Sequence, residues 1–321
     1  MLIHTLLATL ALSASPDGGQ PRPAIGAEVE VGPSGRSGDA KSPEVTNYPL
    51  KVGVVSVLGP KAAKADSERI VAYLAKALGR KMAAVIFTDY DELANAAIDE
   101  KIDFAWMPPL QGFNAKLGGA TLAVKLLRGG APNYRSVIFT RADSPFTDLA
   151  SVHGAKVGWV DRNSSTGYLF PLATVARAKL SLPALFKEQT FLGNHEAVCR
   201  AVESKQVDVG ATLADEPPAG KELKDIEVTG CQQALGPKGG KLKVLAVSEP
   251  VPNDVLVLRR GLDVPTRNSL TKALLAMTSA KDGKALLKDV FKADGVAEVQ
   301  EGDFDPVQHA LEAASGLEAQ Q

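Results

Sequence analysis

The sequence predicts a two-lobed α/β fold, each lobe a mostly parallel sheet with flanking helices. A βαβαβ alternation begins at Leu50 and a second at Ala155, and a single strand run with a helical tail follows both. The 321 residues, 45% hydrophobic and 23% charged, suffice for two cores of ordinary composition.

In the first unit, LKVGVVSV (50–57) is a β-branched run, and Asp66 to Leu78 has helical spacing ended by Gly79. MAAVIF (82–87) reads as a strand, Asp89 to Ile98 as a helix, and IDFAWM (102–107) as a strand stopped by Pro108 and Pro109. Strands over 124–127 and 136–140 complete the first part of lobe one, 48–145. Lobe two, 146–250, repeats the pattern. Its strands are expected over 155–161, 188–192, 207–213 and 241–248, with helices from Thr166 to Lys179 and Asn194 to Ser204. The return strand DVLVLRR (254–260) is followed only by helices, at 266–279, 283–293 and 305–314. This stretch, 251–315, is expected to pack back on lobe one, leaving 316–321 as a tail. Two crossings, near 141–154 and 248–256, then join the lobes.

The apolar run at 2–12, followed by Ser13, Ala14 and Ser15, has the shape of a secretory signal over 1–14, although no Lys or Arg precedes it. It is too short to span a bilayer, and no cysteine follows it to carry a lipid. An exported protein, periplasmic or extracytoplasmic, is expected. Residues 15–47 are rich in Pro, Gly and Ser and read as a disordered linker. Cys199 and Cys231 are the only cysteines. A bridge is open to them in an oxidising compartment, and two separate buried thiols is the favoured reading.

A formal net charge of -1 gives no footprint for nucleic acid. There is no G-x-S-x-G elbow, Walker lysine loop or G-x-G-x-x-G, so neither an enzyme nor a cofactor is expected. His195 and Cys199 stand at i and i+4, but no second pair of ligand spacing accompanies them, so no metal is expected. The informative stretch is VDRNSSTGYLFP (160–171). There a strand ends at Asp161, and Ser164, Ser165 and Thr166 open a helical pattern. One hydroxyl suffices to cap a helix. Three in a row, with free N–H groups and the helix dipole, make an oxyanion site.

On these residues the sequence resembles the phosphonate-binding (PhnD-type) substrate-binding proteins of ABC transporters. That family carries an Asp-Pro-x-Ser-Thr-Ser-Gly-Tyr-like segment, here Asp161 to Tyr168, with Arg162 in place of proline and the Ser/Thr order swapped. Phe104-Ala105-Trp106, the Gly130 to Ser136 segment, Gly193-Asn194-His195-Glu196-Ala197, Val207 to Gly210 and Val251-Pro252-Asn253-Asp254 agree with it. The resemblance covers about residues 48–295 and departs from some relatives at Met107, which stands where they have tyrosine.

It implies a type II periplasmic-binding-protein fold, with a phosphonate, phosphite or phosphate-type oxyanion held between the lobes for an ABC permease and its ATPase. The ligand residues it points to are Ser164, Ser165, Thr166, His195, Tyr90, Tyr134, Trp106 and Asp254. His195 is read as a charged or neutral donor, or as a helix cap; Tyr90 and Tyr134 as lobe-one hydroxyls; and Trp106 as a wall. Asp254 either orients a protonated oxygen or an amino group of the ligand, or fixes the crossing strand, while Asp161 is assigned to structure. A monomer is expected. The alternatives are a sensor-input module of the same fold and, less favoured, an enzyme on a two-lobed scaffold.

Overall fold

The computed structural model describes residues 29–31, 48–55, 60–217, 220–236 and 241–318. The signal segment and most of the expected linker lie outside them. Within that linker, β1 (Val29–Val31) is a strand, which corrects the disordered reading at those positions. It pairs antiparallel with β3, whose edge it covers.

The first sheet collects β1, β2 (Leu50–Val55), β3 (Met82–Phe87), β4 (Phe104–Met107), β5 (Thr121–Leu127), β12 (Val255–Leu258) and β13 (Gly295–Glu298), in the order β1-β3-β2-β4-β12-β5-β13. The second contains β6 (Asn133–Arg141), β7 (Ala155–Trp159), β8 (Phe186–Phe191), β9 (Val209–Ala214) and β10 (Leu242–Val247), in the order β10-β6-β9-β7-β8, with β11 (Val251–Pro252) beside β6. Both sheets are mixed. The βαβ units supply parallel pairs, β3-β2-β4 and β9-β7-β8. The strands that carry the chain between lobes, β6, β10 and β12, enter antiparallel.

The helices cover the sheet faces. α2 (Tyr90–Ile98) starts where Asp89 Oδ1 accepts the Glu92 amide, and it buries Leu93, Ala94, Ala96 and Ala97. α3 (Pro109–Leu117) begins on the proline that stops β4 and is buried nearly all round. α1 (Pro60–Leu78), α8 (Val264–Leu275) and α9 (Lys281–Asp289) cover the opposite face of the first sheet, around Leu74, Leu256 and Leu270. On the second sheet, α4 (Phe170–Arg177), also buried nearly all round, and the short α5 (Leu182–Leu185) lie on one face, and α6 (His195–Glu203) and α7 (Gln232–Leu235) on the other.

Four expectations change. β6, assigned to lobe one, belongs to the second sheet, so the first crossing falls between β5 and β6 rather than near 141–154. The tail is not all helix, because β13 closes the edge of the first sheet against β5. The last helix, α10 (Asp305–Glu318), does not pack on lobe one alone. Its buried Val307, Ala310, Ala314 and Leu317 join one apolar cluster running from α3 to Trp159 and Phe170 of the second lobe. α10 thereby ties the lobes together outside the two crossings. Finally, Cys199 and Cys231 form a disulfide, not two thiols. It joins α6 to the segment entering α7, both short elements that expose one face.

A bridge spanning 32 residues restricts the unfolded chain by about 3.7 kcal/mol on the loop-entropy account. Replacing Cys199 and Cys231 together by Ala is therefore expected to lower the urea midpoint, and reductant to lower that of the parent alone. A midpoint that moves in neither case would show that the tie contributes nothing.

Candidate functional site

The hydroxyl segment folds as a single π-helical turn, Ser165–Leu169, leading into α4. Ser164 caps it, its Oγ accepting the Gly167 amide at 3.0 Å. Gly167 is required here, because a Cβ would lie 2.3 Å from Val160 Cβ and 2.8 Å from Ser164 Oγ. The turn can approach the end of β7 only without that carbon. As its first two residues, Ser165 and Thr166 have no carbonyl to bond within the turn, and their amides donate to nothing among the described residues. Both residues are buried, at 4% and 3% exposure.

Each is met from another element. Ser165 Oγ accepts the Leu110 amide from the start of α3 at 3.2 Å, a bond between lobes that leaves the serine hydrogen free to donate. The Thr166 carbonyl accepts from Ser136 Oγ at 2.7 Å, and its side chain lies close enough to the Tyr134 phenol to lower its pKa. Two further contacts cross between lobes. Gln111 Nε2 donates to the Asn163 carbonyl at 2.9 Å and to Asp91 Oδ1 at 3.2 Å, and Asn163 Nδ2 donates to Asp91 Oδ2. Gln111 is 2% exposed, and its Oε1 has no partner among the described residues. Burial raises the Asp91 carboxyl above its ordinary range, the Gln111 bond opposes that, and the Asp89 and Asp161 charges add to it.

Tyr90, at the first position of α2, and Tyr134 face one ionic pair. Both phenols are pushed well above their usual value, first by burial and then by the Asp254 carboxylate, with the Arg128 cation pulling the other way. They are therefore neutral hydrogen-bond donors at any physiological pH. Tyr134 belongs to the second sheet, paired through β6 with Val251, and so is not the lobe-one group that was expected. Tyr90 belongs to lobe one, at the start of α2.

The residue that sequence reasoning missed is Arg128. Its Nη2 donates to Asp254 Oδ2 and its Nη1 to Asn253 Oδ1, both at 2.7 Å. Burial opposes its charge, but the Asp254 carboxylate more than compensates, and its pKa lies above the ordinary value. The turn that presents it is legible afterwards. The Arg128 and Ala131 backbones bond each other in both directions at 3.0 Å, with Gly129 and Gly130 at φ 58° and 74° between them. Positive φ at two successive residues favours Gly-Gly, so the sequence Arg-Gly-Gly marked a tight turn holding a cation at the crossing.

His195 and Trp106 stand apart from this group. Asn194 caps α6, its Oδ1 accepting the Ala197 amide, so the capping role considered for His195 is already filled. His195 Nδ1 pairs with Thr212 Oγ1 at 2.8 Å, on β9, the strand that packs against the hydroxyl turn. Burial holds its pKa down to about 4, which removes the charged imidazole from consideration in the unliganded protein. Trp106 packs on Phe291 at 5.3 Å, and the Phe291 carbonyl accepts from Arg128 at 3.5 Å, so the indole lies behind the ion pair. Asp161 shapes the loop, its Oδ1 accepting the Asn163 amide at 2.8 Å.

Residues 52–304 match a family described as "ABC transporter, phosphonate, periplasmic substrate-binding protein". The phosphonates-binding periplasmic protein of Escherichia coli is 27% identical over 245 residues, covering 74% of this chain and 69% of that one. A phosphate-import protein of Mycolicibacterium smegmatis is 25% identical over 272 residues, covering 78% and 80%. Among solved structures, the methylphosphonate complex of PhnD1 from Prochlorococcus marinus superposes with a TM-score of 0.63 at 18% identity, covering 84% of this chain and 98% of that one. That degree of likeness speaks to the fold.

The His195 environment generates a pH prediction. The unfolded imidazole titrates near 6.5 and the folded one at about 4, so between these values the unfolded chain holds more protons. Stability is therefore expected to fall as pH drops from 6.5 towards 4. In His195→Gln this part of the loss disappears. Superimposable stability profiles for parent and variant over that range would show that the imidazole is not held neutral by the fold.

Proposed function

Because the chain belongs to the phosphonate periplasmic substrate-binding proteins of ABC transporters, we propose that it captures a phosphorus oxyanion on the Ser164–Thr166 turn and presents it to a permease outside the cytoplasm. The observation that carries the ligand geometry is the pair of unengaged, buried amides of Ser165 and Thr166, at a turn where Tyr134 also arrives. An oxyanion seated there accepts from the two amides and from the Ser165 and Thr166 hydroxyls. The Tyr134 phenol, and Tyr90 from the facing lobe, would add neutral donors to these, since burial keeps both protonated.

None of these groups is formally charged. A dianion is held by dipoles, with Arg128 engaged by Asp254 instead of supplying a free positive charge. His195, a neutral imidazole bonded to Thr212, stays outside this set. The described residues contain no cluster of three or more His, Cys, Asp or Glu suited to a metal. Residues already bonded across the cleft, Leu110 to Ser165 and Gln111 to Asn163, define the closed arrangement that a permease would recognise.

Calorimetry with methylphosphonate, phosphite and phosphate tests this reading. Thr166→Val keeps the shape and removes one hydroxyl, and Tyr134→Phe removes the phenol hydroxyl. Each is expected to weaken the preferred ligand by roughly 1.5–3 kcal/mol, the range for a hydrogen bond to a charged group. A parent that binds none of the three, or variants that bind as the parent does, would place the ligand elsewhere.

A further inference from the structure

We propose that Arg128 sets the substituent class of the ligand, admitting a phosphorus oxyanion with a small uncharged substituent or none, and excluding one that carries an ammonium group. The inference rests on the reading that the cleft takes a phosphorus oxyanion, and it concerns what is attached to the phosphorus.

Asp254 is the carboxylate that acts on both Tyr90 and Tyr134. Left without a partner, it would be a ready counter-charge for an ammonium on the ligand. It is not left so. The guanidinium fork spans Asn253 Oδ1 and Asp254 Oδ2 at 2.7 Å each, a planar geometry that an ammonium does not reproduce. The side chains of Arg128 and Asp254 remain 26% and 31% exposed, so a ligand tail reaching the carboxylate meets the guanidinium as well. To bind Asp254, an ammonium must either displace the fork, leaving a largely enclosed guanidinium and an asparagine oxygen unpaired, or sit beside a like charge.

The fork is not easily moved. Arg128 is anchored by the Gly129-Gly130 turn and by the Phe291 carbonyl at 3.5 Å. Asn253, its other partner, is fully buried and fixed by its own Nδ2, which donates to the Ala131 carbonyl at 2.9 Å. Four other carboxylates line the cavity beside Arg128: Asp215, Glu216, Asp289 and Asp294. Asp289 pairs with Arg69 Nη2 at 2.8 Å, and Asp294 Oδ2 accepts the Gly130 amide at 3.1 Å. Glu216 is held by Arg135 Nε at 2.7 Å. Asp215, exposed at the end of β9, acts on the Arg128 charge itself, so an ammonium reaching for it also has the guanidinium as a neighbour.

Calorimetry at pH 7 with methylphosphonate and 2-aminoethylphosphonate decides the matter. The parent is expected to bind methylphosphonate at least tenfold more tightly. Arg128→Gln frees Asp254, and the ratio should shrink or invert. Asp254→Asn keeps an acceptor for Arg128 and should leave the ratio as it is in the parent. A parent that binds 2-aminoethylphosphonate as tightly as methylphosphonate overturns the proposal and makes Asp254 or Asp215 the amine acceptor. So does a ratio unchanged in a folded Arg128→Gln, or a selective loss of 2-aminoethylphosphonate affinity in Asp254→Asn. Should Arg128→Gln not fold, the parent ratio and Asp254→Asn still decide. Failure of methylphosphonate, phosphite and phosphate alike to bind is a different result, and removes the oxyanion reading itself.

Discussion

The lobes are held in register by one knot of hydrogen bonds where the chain crosses between them. Arg128 stands at the end of β5, just before the chain enters the second sheet, and Asn253 and Asp254 stand where it returns. The guanidinium bonds both. Around it, the Asn253 amide donates to the Pro132 carbonyl at 3.1 Å and the Leu126 amide to the Asp254 carbonyl at 2.9 Å. Two chain segments more than a hundred residues apart are thereby fixed side by side, and the strands on either side take their places from them. Tyr134 lies two residues beyond Pro132, and so its position against Thr166 depends on the same knot.

This arrangement fits the proposed site, which would bind an anion with dipoles. The strong charges at the crossing neutralise one another, because an unpaired guanidinium or carboxylate so largely removed from water would carry a heavy desolvation cost. What remains for a ligand is a set of neutral donors fixed in place: amides at a helical turn, hydroxyls and phenols. Burial keeps the phenols protonated and the imidazole neutral. A carrier has to release its cargo, and preorganised neutral donors give recognition without a fully charged, tightly retaining contact.

How much of this was legible depended on whether the signal was local. The caps Asp89 and Asn194, the proline that ends β4, and the hydroxyls at 164–166 are decided within a few residues, and they could be read directly. The assignment of β6 was not local. Its pattern suits either sheet, and only pairing with β9 and β10 places it in the second, which moves the crossing and carries Tyr134 with it. The disulfide joins cysteines 32 residues apart, and its existence depends on how α6 and the segment before α7 meet. Arg128 was hidden for a related reason. Its partners lie 125 and 126 residues away, and a lone arginine before two glycines reads as a solvated turn until they are in place.

Closure and binding draw on the same residues, and this links them energetically. Ser165 gives its oxygen to Leu110 of the other lobe while keeping its amide and hydroxyl hydrogen available. Asn163, two residues earlier, is held by Gln111 and Asp91 from lobe one. The bonds that bring the lobes together therefore also immobilise the turn proposed to hold the oxyanion. An open form would lack both, so ligand affinity scales with the fraction of molecules already closed. The unpartnered Gln111 Oε1 marks a cost retained in that closed form, since its amide nitrogen faces two acceptors and its oxygen none among the described residues.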